Sequence, residues 1–278
     1  MAVDLHTHSL ASDGTLPAAR VVELAASIGL HAVAVCDHDS VDGVAEALSQ
    51  GRRLGIPVVP GVEFSAADGV LSIHMLGYFI DHKDRALLRA LESLRMARLE
   101  RARDMVALLA ADGFTIDFDD IIAAVDGGAI GRAHIAAALV RSGHTQDLES
   151  AFSHFVGRSA PYFVPKPPVG IAAVISAIHQ AGGLAVVAHP GISGIDEYIE
   201  GMVTYGVDGL EALHADHTPG QRAHYTALAA EHGLLVTGGS DYHGPDMAGH
   251  PLGAGNVPDE IFERLVTAAG EAARSVLH

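Results

Sequence analysis

Seven short apolar runs, each trailing into polar residues and most followed by a helix-like stretch, limit what this chain can fold into. They are VDLHTH from Val3, AVAVCDHD from Ala32, PVVPGVEFS from Pro57, LSIHMLGYF from Leu71, LAVVAHP from Leu184, GLEALH from Gly209 and LVTGGSDYH from Leu235. Between most of them lie amphipathic stretches, Leu16 to Ile28, Val41 to Leu54, Val169 to Ala181 and Gln221 to His232. Short β-branched runs alternating with segments of helical period predict an α/β barrel or open sheet. From Arg85 to Arg158 the pattern is helical with no strand signal, so that stretch reads as an insertion between the fourth and fifth strands. The segment from Pro258 to Leu277 reads as one closing amphipathic helix.

At 278 residues and 49% hydrophobic, the chain has enough material for one large core with an inserted part. No stretch approaches the ~18 uninterrupted apolar residues of a membrane span, and no basic region followed by an apolar segment opens the chain, so a cytoplasmic protein without membrane association is expected. The single cysteine, Cys36, excludes an internal disulfide and a thiolate metal cluster. A net charge of −17 argues against binding long duplex nucleic acid. Ten of the 17 basic residues nevertheless fall between Lys83 and Arg158, with 11 acids, which leaves the flanking sequence with seven bases against 23 acids. Two regions of different electrostatic role are expected.

The chemistry lies in where ligand-type residues fall. His6 and His8 close the first run, His38 the second and Glu63 the third; His74 sits in the fourth, His189 closes the fifth, and Asp241 and His243 close the seventh. The carboxyl edge of a parallel α/β sheet is where loops from separate strands converge and active sites form. Residues two apart on a strand point to one face, so His6 and His8 can chelate one ion, with Asp13 in reach from the following loop. A lone histidine is usually a hydrogen-bonded surface or core residue, and His144, His154, His179 and His232 are read that way. Six histidines and three carboxylates clustered at strand ends are read as a metal site. Nitrogen and oxygen donors without sulfur suit manganese, iron or zinc and give no firm choice among them. At about three protein ligands per open catalytic ion, nine residues imply two or three divalent ions.

The motifs DLHTHSLASDG, AVCDHD, GVEFS, IHMLG, AHPG and GSDYH, in this order, resemble those of the PHP family, named for polymerase and histidinol phosphatase. The resemblance covers residues 2 to 82 and about 160 to 250. It implies an α/β fold, a distorted seven-stranded (β/α) barrel with an inserted helical subdomain, in which residues 1–82 and 160–278 form the barrel and 83–159 the insertion. It further implies a trinuclear metal site that hydrolyses phosphate esters. Carried over by position, His6, His8, Glu63 and Asp241 hold one metal, Asp13, His38 and His243 a second, and Glu63, His74 and His189 a third.

The insertion carries the substrate argument. Along Asp84 to Ala111, Leu87, Leu91, Leu94, Met105 and Leu108 form an apolar stripe that also contains Arg98 and Arg101, while Arg85, Arg89, Arg103, Glu92 and Glu100 fall opposite. Two inward arginines repel each other and lose hydration, so they call for an anion, and a bound phosphate meets that need. The plainer readings are that they reach past the stripe to water or pair with an acid elsewhere. In GGAIGRAHIAAAL, Gly131 begins a helix that puts Arg132 and His134 in its first turn, where backbone N–H groups already favour an anion; Arg132 alternatively pairs with an acid such as Asp126. The RLERAR and RAH motifs resemble a stand-alone PHP group acting on 3',5'-bisphosphate nucleotides or on 5' ends of short RNA. The expected enzyme is a metal-dependent phosphoesterase whose substrate is a small nucleotide or RNA end. Arg98, Arg101, Arg132, His134 and Asp13 bind substrate, and Asp13, Arg132 and His134 take part in catalysis.

Histidinol-phosphate phosphatase is the nearest rival. An exonuclease domain serving a polymerase is weaker, and a metal-storing, sensing or docking protein without turnover belongs to another class. Lys166 in VPKPP is an extra cation without an assigned role. Glu211, His214 and Asp216 end the sixth run near the site but match no expected ligand position.

Overall fold

A computed structural model describes residues 2–68, 71–125, 129–165, 169–245 and 250–277; Asp126 and Lys166 lie outside the described residues. The elements run in the expected alternation. Strand β1 (Ala2–Val3) is followed by α1 (Ala18–Ser27), β2 (Val33–Val35) and α2 (Val44–Leu54), then by a hairpin of β3 (Val58–Asp68) and β4 (Leu71–Tyr78). Four helices come next, α3 (Arg85–Ala111), α4 (Phe118–Val125), α5 (Arg132–Arg141) and α6 (Leu148–Ala151), the last running into a π-helical turn. The second half comprises α7 (Ile171–Gln180), β5 (Leu184–Val187), α8 (Pro190–Ser193), α9 (Asp196–Thr204), β6 (Gly209–Glu211), α10 (Pro219–Glu231), β7 (Leu235–Thr237), β8 (Val257–Pro258), α11 (Asp259–Ala269) and α12 (Glu271–Leu277).

Strands β2 to β7 form one curled sheet in sequence order. Pairing is parallel except that β4 runs antiparallel to both neighbours. The segment after β1 bonds both ends of this sheet. Asp4 accepts from Ala34 N at 2.9 Å and Thr7 from Cys36 N at 2.8 Å, while Leu5 N donates to Gly238 at 3.2 Å and His8 N to Tyr242 at 2.8 Å.

Side-chain alternation along the strands separates two apolar layers. Val33, Val35, Val62 and Phe64 pack with α1, α2 and α7, whereas Ala34, Cys36, Val59, Leu76, Tyr78 and Val186 fill the sheet's concave interior. Cys36 is fully buried and free. Glu63 and His74 stand on the same strand faces as Val59 and Leu76, so the apolar floor of the interior gives way to ligand-type residues toward one edge.

Helix α3 belongs to both halves of the molecule. Asp84 caps it by accepting from Ala86 and Leu87 N, each at 2.8 Å. Its first turns bury Leu87, Leu91 and Leu94 against the sheet-side core, and its later turns bury Ala102, Met105 and Leu109 in a separate cluster with α4 and α5. The stripe drifts by one residue from the expectation: Leu109 faces inward and Leu108 is exposed. The closing segment is two helices, because the chain turns at Gly270 with φ +55°. Among the described residues no helix is long and apolar enough to cross a membrane.

Candidate metal centre and active site

The hairpin and the N-terminal segment build the centre. Thr7 turns away to donate to the Ala34 carbonyl at 2.6 Å, which sends His6 and His8 on either side of it to the interior. Strand register sets His38 opposite Glu63 and Ser65 opposite His74, so the Glu63 carboxylate lies between the two imidazoles. His38 Nδ1 is 2.8 Å from Glu63 Oε2, and His74 Nδ1 is 2.8 Å from Oε1. His189 Nε2 approaches Oε1 at 3.2 Å, and His6 and His8 Nε2 approach Oε2 at 3.4 and 3.3 Å. Five imidazoles thus converge on one carboxylate that is itself closed to solvent. Beside it, Asp241 Oδ1 lies 2.9 Å from His8 Nε2 and 3.5 Å from His6 Nε2. Asp13 Oδ1 lies 3.4 Å from His243 Nε2, and Oδ2 lies 3.9 Å from His38 Nε2.

All nine residues singled out in the sequence therefore meet in one place. Ligand-type atoms fall within 4.8 Å of one another in the sets His8–Asp13–His38–His243, His6–His8–Asp241 and His38–Glu63–His74. Whether such a set suits cations can be tested on its polar atoms. His8 Nδ1, Asp13 Oδ1, His38 Nδ1 and Glu63 Oε2 are buried and complete no hydrogen bond to a described residue, although other donors and acceptors crowd them. Buried polar atoms are otherwise satisfied, so lone pairs facing one another fit divalent ions. Burial would raise the acids. The imidazoles outweigh it and hold Asp13, Glu63 and Asp241 well below the usual carboxylate range. Backbone strain clusters here too: His189 and Asp241 have φ of +29° and +54°.

Three buried aspartates that the sequence reading left aside support the ligands. Asp37 accepts from Ser9 N, Ser9 Oγ and Ser12 Oγ at 2.6 to 2.7 Å and so fixes the loop that carries Asp13. Asp4 accepts from Ser240 N and Oγ and from Gly253 N. Asp39 accepts from Ser65 N at 2.8 Å. Their signal was in the sequence, as a carboxylate one or two residues from a histidine in DLH and DHD.

The two inward arginines of α3 differ. Both are buried, at 7% exposure, but Arg98 Nε donates to Asp39 Oδ2 and Nη2 to Ser65 Oγ at 2.7 Å. Arg98 thus takes the plainer reading, a paired acid, while its Nη1 stays near the site. Around Gly131, Asp13 Oδ2 and the tips of Arg98 and His134 all come within 3.7 to 3.8 Å of where a side chain would begin. Arg101 has no carboxylate partner among the described residues. It donates to the Val164 carbonyl and lies over the Phe163 ring at 5.3 Å. Arg132 lies over the same ring at 5.6 Å, likewise without a described acid. Burial, with Arg132, Arg98 and Arg158 nearby, lowers Arg101 to about 10, and burial with Arg158 and Arg98 lowers Arg132. Arg158 and Phe163 escaped the sequence reading because an isolated loop residue carries no periodicity. His134 Nδ1 accepts from Gly131 N at 3.0 Å, and burial lowers its pKa. It is therefore neutral with its proton on Nε2, a donor and not a base.

The sixth-strand residues separate by role. Glu211 is buried against His6 and the His189 backbone. His214 Nδ1 accepts from Asp216 N at 3.2 Å, which leaves its Nε2–H facing Asp241 Oδ2 at 3.9 Å. Asp216 turns outward to His250 at 2.7 Å. His154 and His179 are on the surface, as expected.

Comparison with known proteins agrees with this geometry. The sequence matches the PHP domain family over residues 4–155. It is 35% identical over 257 residues to the 3',5'-nucleoside bisphosphate phosphatase of Chromobacterium violaceum, covering 90% of each chain. It is 33% identical to the 5'-3' exoribonuclease of Haemophilus influenzae, covering 87% of this chain and 90% of that one. A solved structure from Bifidobacterium adolescentis, provisionally assigned as a metal-dependent phosphoesterase, superposes with a TM-score of 0.89 at 36% identity over 96% of both chains. These relatives are phosphoric ester hydrolases and leave no support for a non-catalytic reading. The chain belongs to the PHP domain family of metal-dependent phosphoesterases.

Proposed function

We propose that this enzyme hydrolyses a phosphate monoester of a small nucleotide, the 3'-phosphate of 3',5'-bisphosphate nucleotides, and also acts on 5' ends of short RNA. The observation that carries the reading is the pair of buried Arg101 and half-buried Arg132, both over the Phe163 ring without a described acid, on the helical segment whose Gly131 turn meets Asp13. A cationic pair of that kind is stabilised by a second phosphate that does not react. In this reading residues 1–82 and 160–278 form the barrel, segment Asp4 to His8 supplies its seventh strand, and residues 83–159 form the inserted recognition unit.

The nine candidate ligands keep the assignment drawn from the resemblance: His6, His8, Glu63 and Asp241; Asp13, His38 and His243; Glu63, His74 and His189. Divalent ions held there, manganese first, would acidify water near neutral pH and neutralise charge on the phosphoryl group. The chain's own residues do the rest. Asp13, held ionised by its histidines, accepts a hydrogen bond and orients the attacking water. His134 donates from Nε2 to a phosphoryl oxygen, and Arg132, with Arg98 Nη1 beside it, stabilises the charge that builds up in the transition state.

The test is a substrate panel with added manganese: 3',5'-bisphosphate nucleotides, nucleoside monophosphates, histidinol phosphate and short 5'-phosphorylated RNA. The bisphosphates should give the highest kcat/KM. Arg101→Met should lower that value about 10- to 150-fold, the size of one charge-assisted contact, and spare the monophosphates. Equal loss on every ester, or histidinol phosphate as best substrate, would overturn the reading.

A further inference from the structure

Glu211 ends β6 with no exposure to solvent, and its carboxylate touches two candidate ligands at once. Oε1 lies 3.0 Å and Oε2 3.2 Å from His6 Nδ1, and Oε2 also accepts from His189 N at 2.8 Å. A carboxylate only accepts, so the hydrogen between the two groups belongs to His6 Nδ1. The neutral ring then carries its lone pair on Nε2. That atom is the one facing Glu63 Oε2 at 3.4 Å, Asp241 Oδ1 at 3.5 Å and His8 Nε2 at 3.2 Å. The bond to His189 N holds a residue whose φ of +29° is costly outside glycine, and it does so just where the His189 ring reaches Glu63.

We propose that Glu211 is a positioning residue of the centre: it fixes His6 in the tautomer that offers Nε2 inward, and it pins the strained His189 backbone so that both rings address the Glu63 carboxylate. The assignment rests on reading the cluster as a metal centre. One buried side chain on β6 thereby couples ligands from the segments after β1 and β5, although Glu211 itself lies behind the His6 ring. Asparagine or glutamine cannot replace it cleanly. An amide places an N–H against either His6 Nδ1–H or His189 N–H, or it turns the His6 ring to the opposite tautomer.

The experiment uses the whole chain with 15N-labelled histidine rings, first metal-free and then titrated with zinc in competition with a chelating dye. His6→Asn identifies the His6 signals. In the metal-free wild type, brought to a pH alkaline enough for the ring to be neutral, His6 should be the Nδ1–H tautomer. Glu211→Gln should lose that tautomer and bind zinc roughly 10- to 100-fold more weakly, the usual effect of removing a partner behind a ligand, with its circular dichroism unchanged. An Nε2–H tautomer in the wild type overturns the proposal, as does a folded Glu211→Gln with wild-type zinc affinity. If Glu211→Gln does not fold, the wild-type tautomer still decides, and Glu211→Asp, which keeps the charge but withdraws it from His6, should show intermediate affinity. Failure of the wild type to take up zinc, manganese or iron would instead defeat the metal-centre reading, and the metal-free spectra would judge Glu211 separately.

Discussion

At the scale of single residues, Arg98 and Arg101 look interchangeable in the sequence and are opposite in the structure. Arg98 is one half of a buried ion pair with Asp39, and Ser65 completes the satisfaction of both. Removing one partner of such a pair leaves an uncompensated buried charge, at a cost of about 3–5 kcal/mol. Arg98→Met should therefore lower the free energy of unfolding by that amount in urea titrations, and Arg98→Met with Asp39→Asn should recover part of it. Arg101→Met removes a cation that burial and its neighbours already disfavour, so its stability should hold or rise while discrimination for bisphosphates falls. Equal destabilisation by the two single changes would mean that Arg101 also has an acid partner. The sequence could show that both arginines interrupt an apolar stripe. It could not show which had a partner, because Asp39 lies 59 positions from Arg98 and only the fold brings them together.

At the scale of elements, the runs that end in histidine were legible because ligand spacing and strand period coincide there. The direction of β4 was not read, yet its signal was present: five residues, AADGV, with a glycine between two apolar runs read as a hairpin connection. The hairpin register sets Ser65 opposite His74, which brings His74 beside Glu63 on the same face. Leu108 was misplaced because a helix of 27 residues drifts against any fixed count of three and four. The glycine pair in LVTGGSDYH is explained by packing. A Cβ on Gly239 would sit 2.4 Å from His6 Cβ and 2.6 Å from His6 N, so this strand end can pass the N-terminal segment only without a side chain. Gly239→Ala must push that segment away, against the bonds from Leu5 N to Gly238 and from Asp241 N to His6. It should cost about 1–3 kcal/mol or more and reduce bound metal per chain by elemental analysis. A variant with wild-type stability and metal content would show that the two segments have room to separate.

At the scale of the whole molecule, the centre is a buried assembly of acids and imidazoles, and the stability of chelator-treated protein should follow its protonation. His243 ordinarily titrates at 6.5. Burial would lower it, but the neighbouring Asp13 carboxylate, with Asp241, raises it to about 10. A raised histidine contributes stability that is complete below 6.5 and lost as the pH climbs toward 10. His189 is raised as well, by Glu63 against the opposing effect of burial, and acts in the same direction. Glu211 ordinarily titrates at 4.5; burial would raise it, but His6, His214 and His189 hold it at about 2. A depressed acid contributes stability that is complete above 4.5 and lost as the pH falls toward 2. The metal-free chain should therefore be most stable between about pH 4.5 and 6.5 and weaken on both sides. Divalent ions replace imidazolium protons as partners of the carboxylates, so metal binding releases protons and strengthens with pH. Manganese should raise the urea midpoint more at about pH 8.5 than at about pH 6, and the alkaline decline should disappear in the loaded protein. A flat metal-free profile from pH 6.5 to 10, or a metal effect independent of pH, would mean that the imidazoles are already neutral and that the carboxylates find their compensation elsewhere.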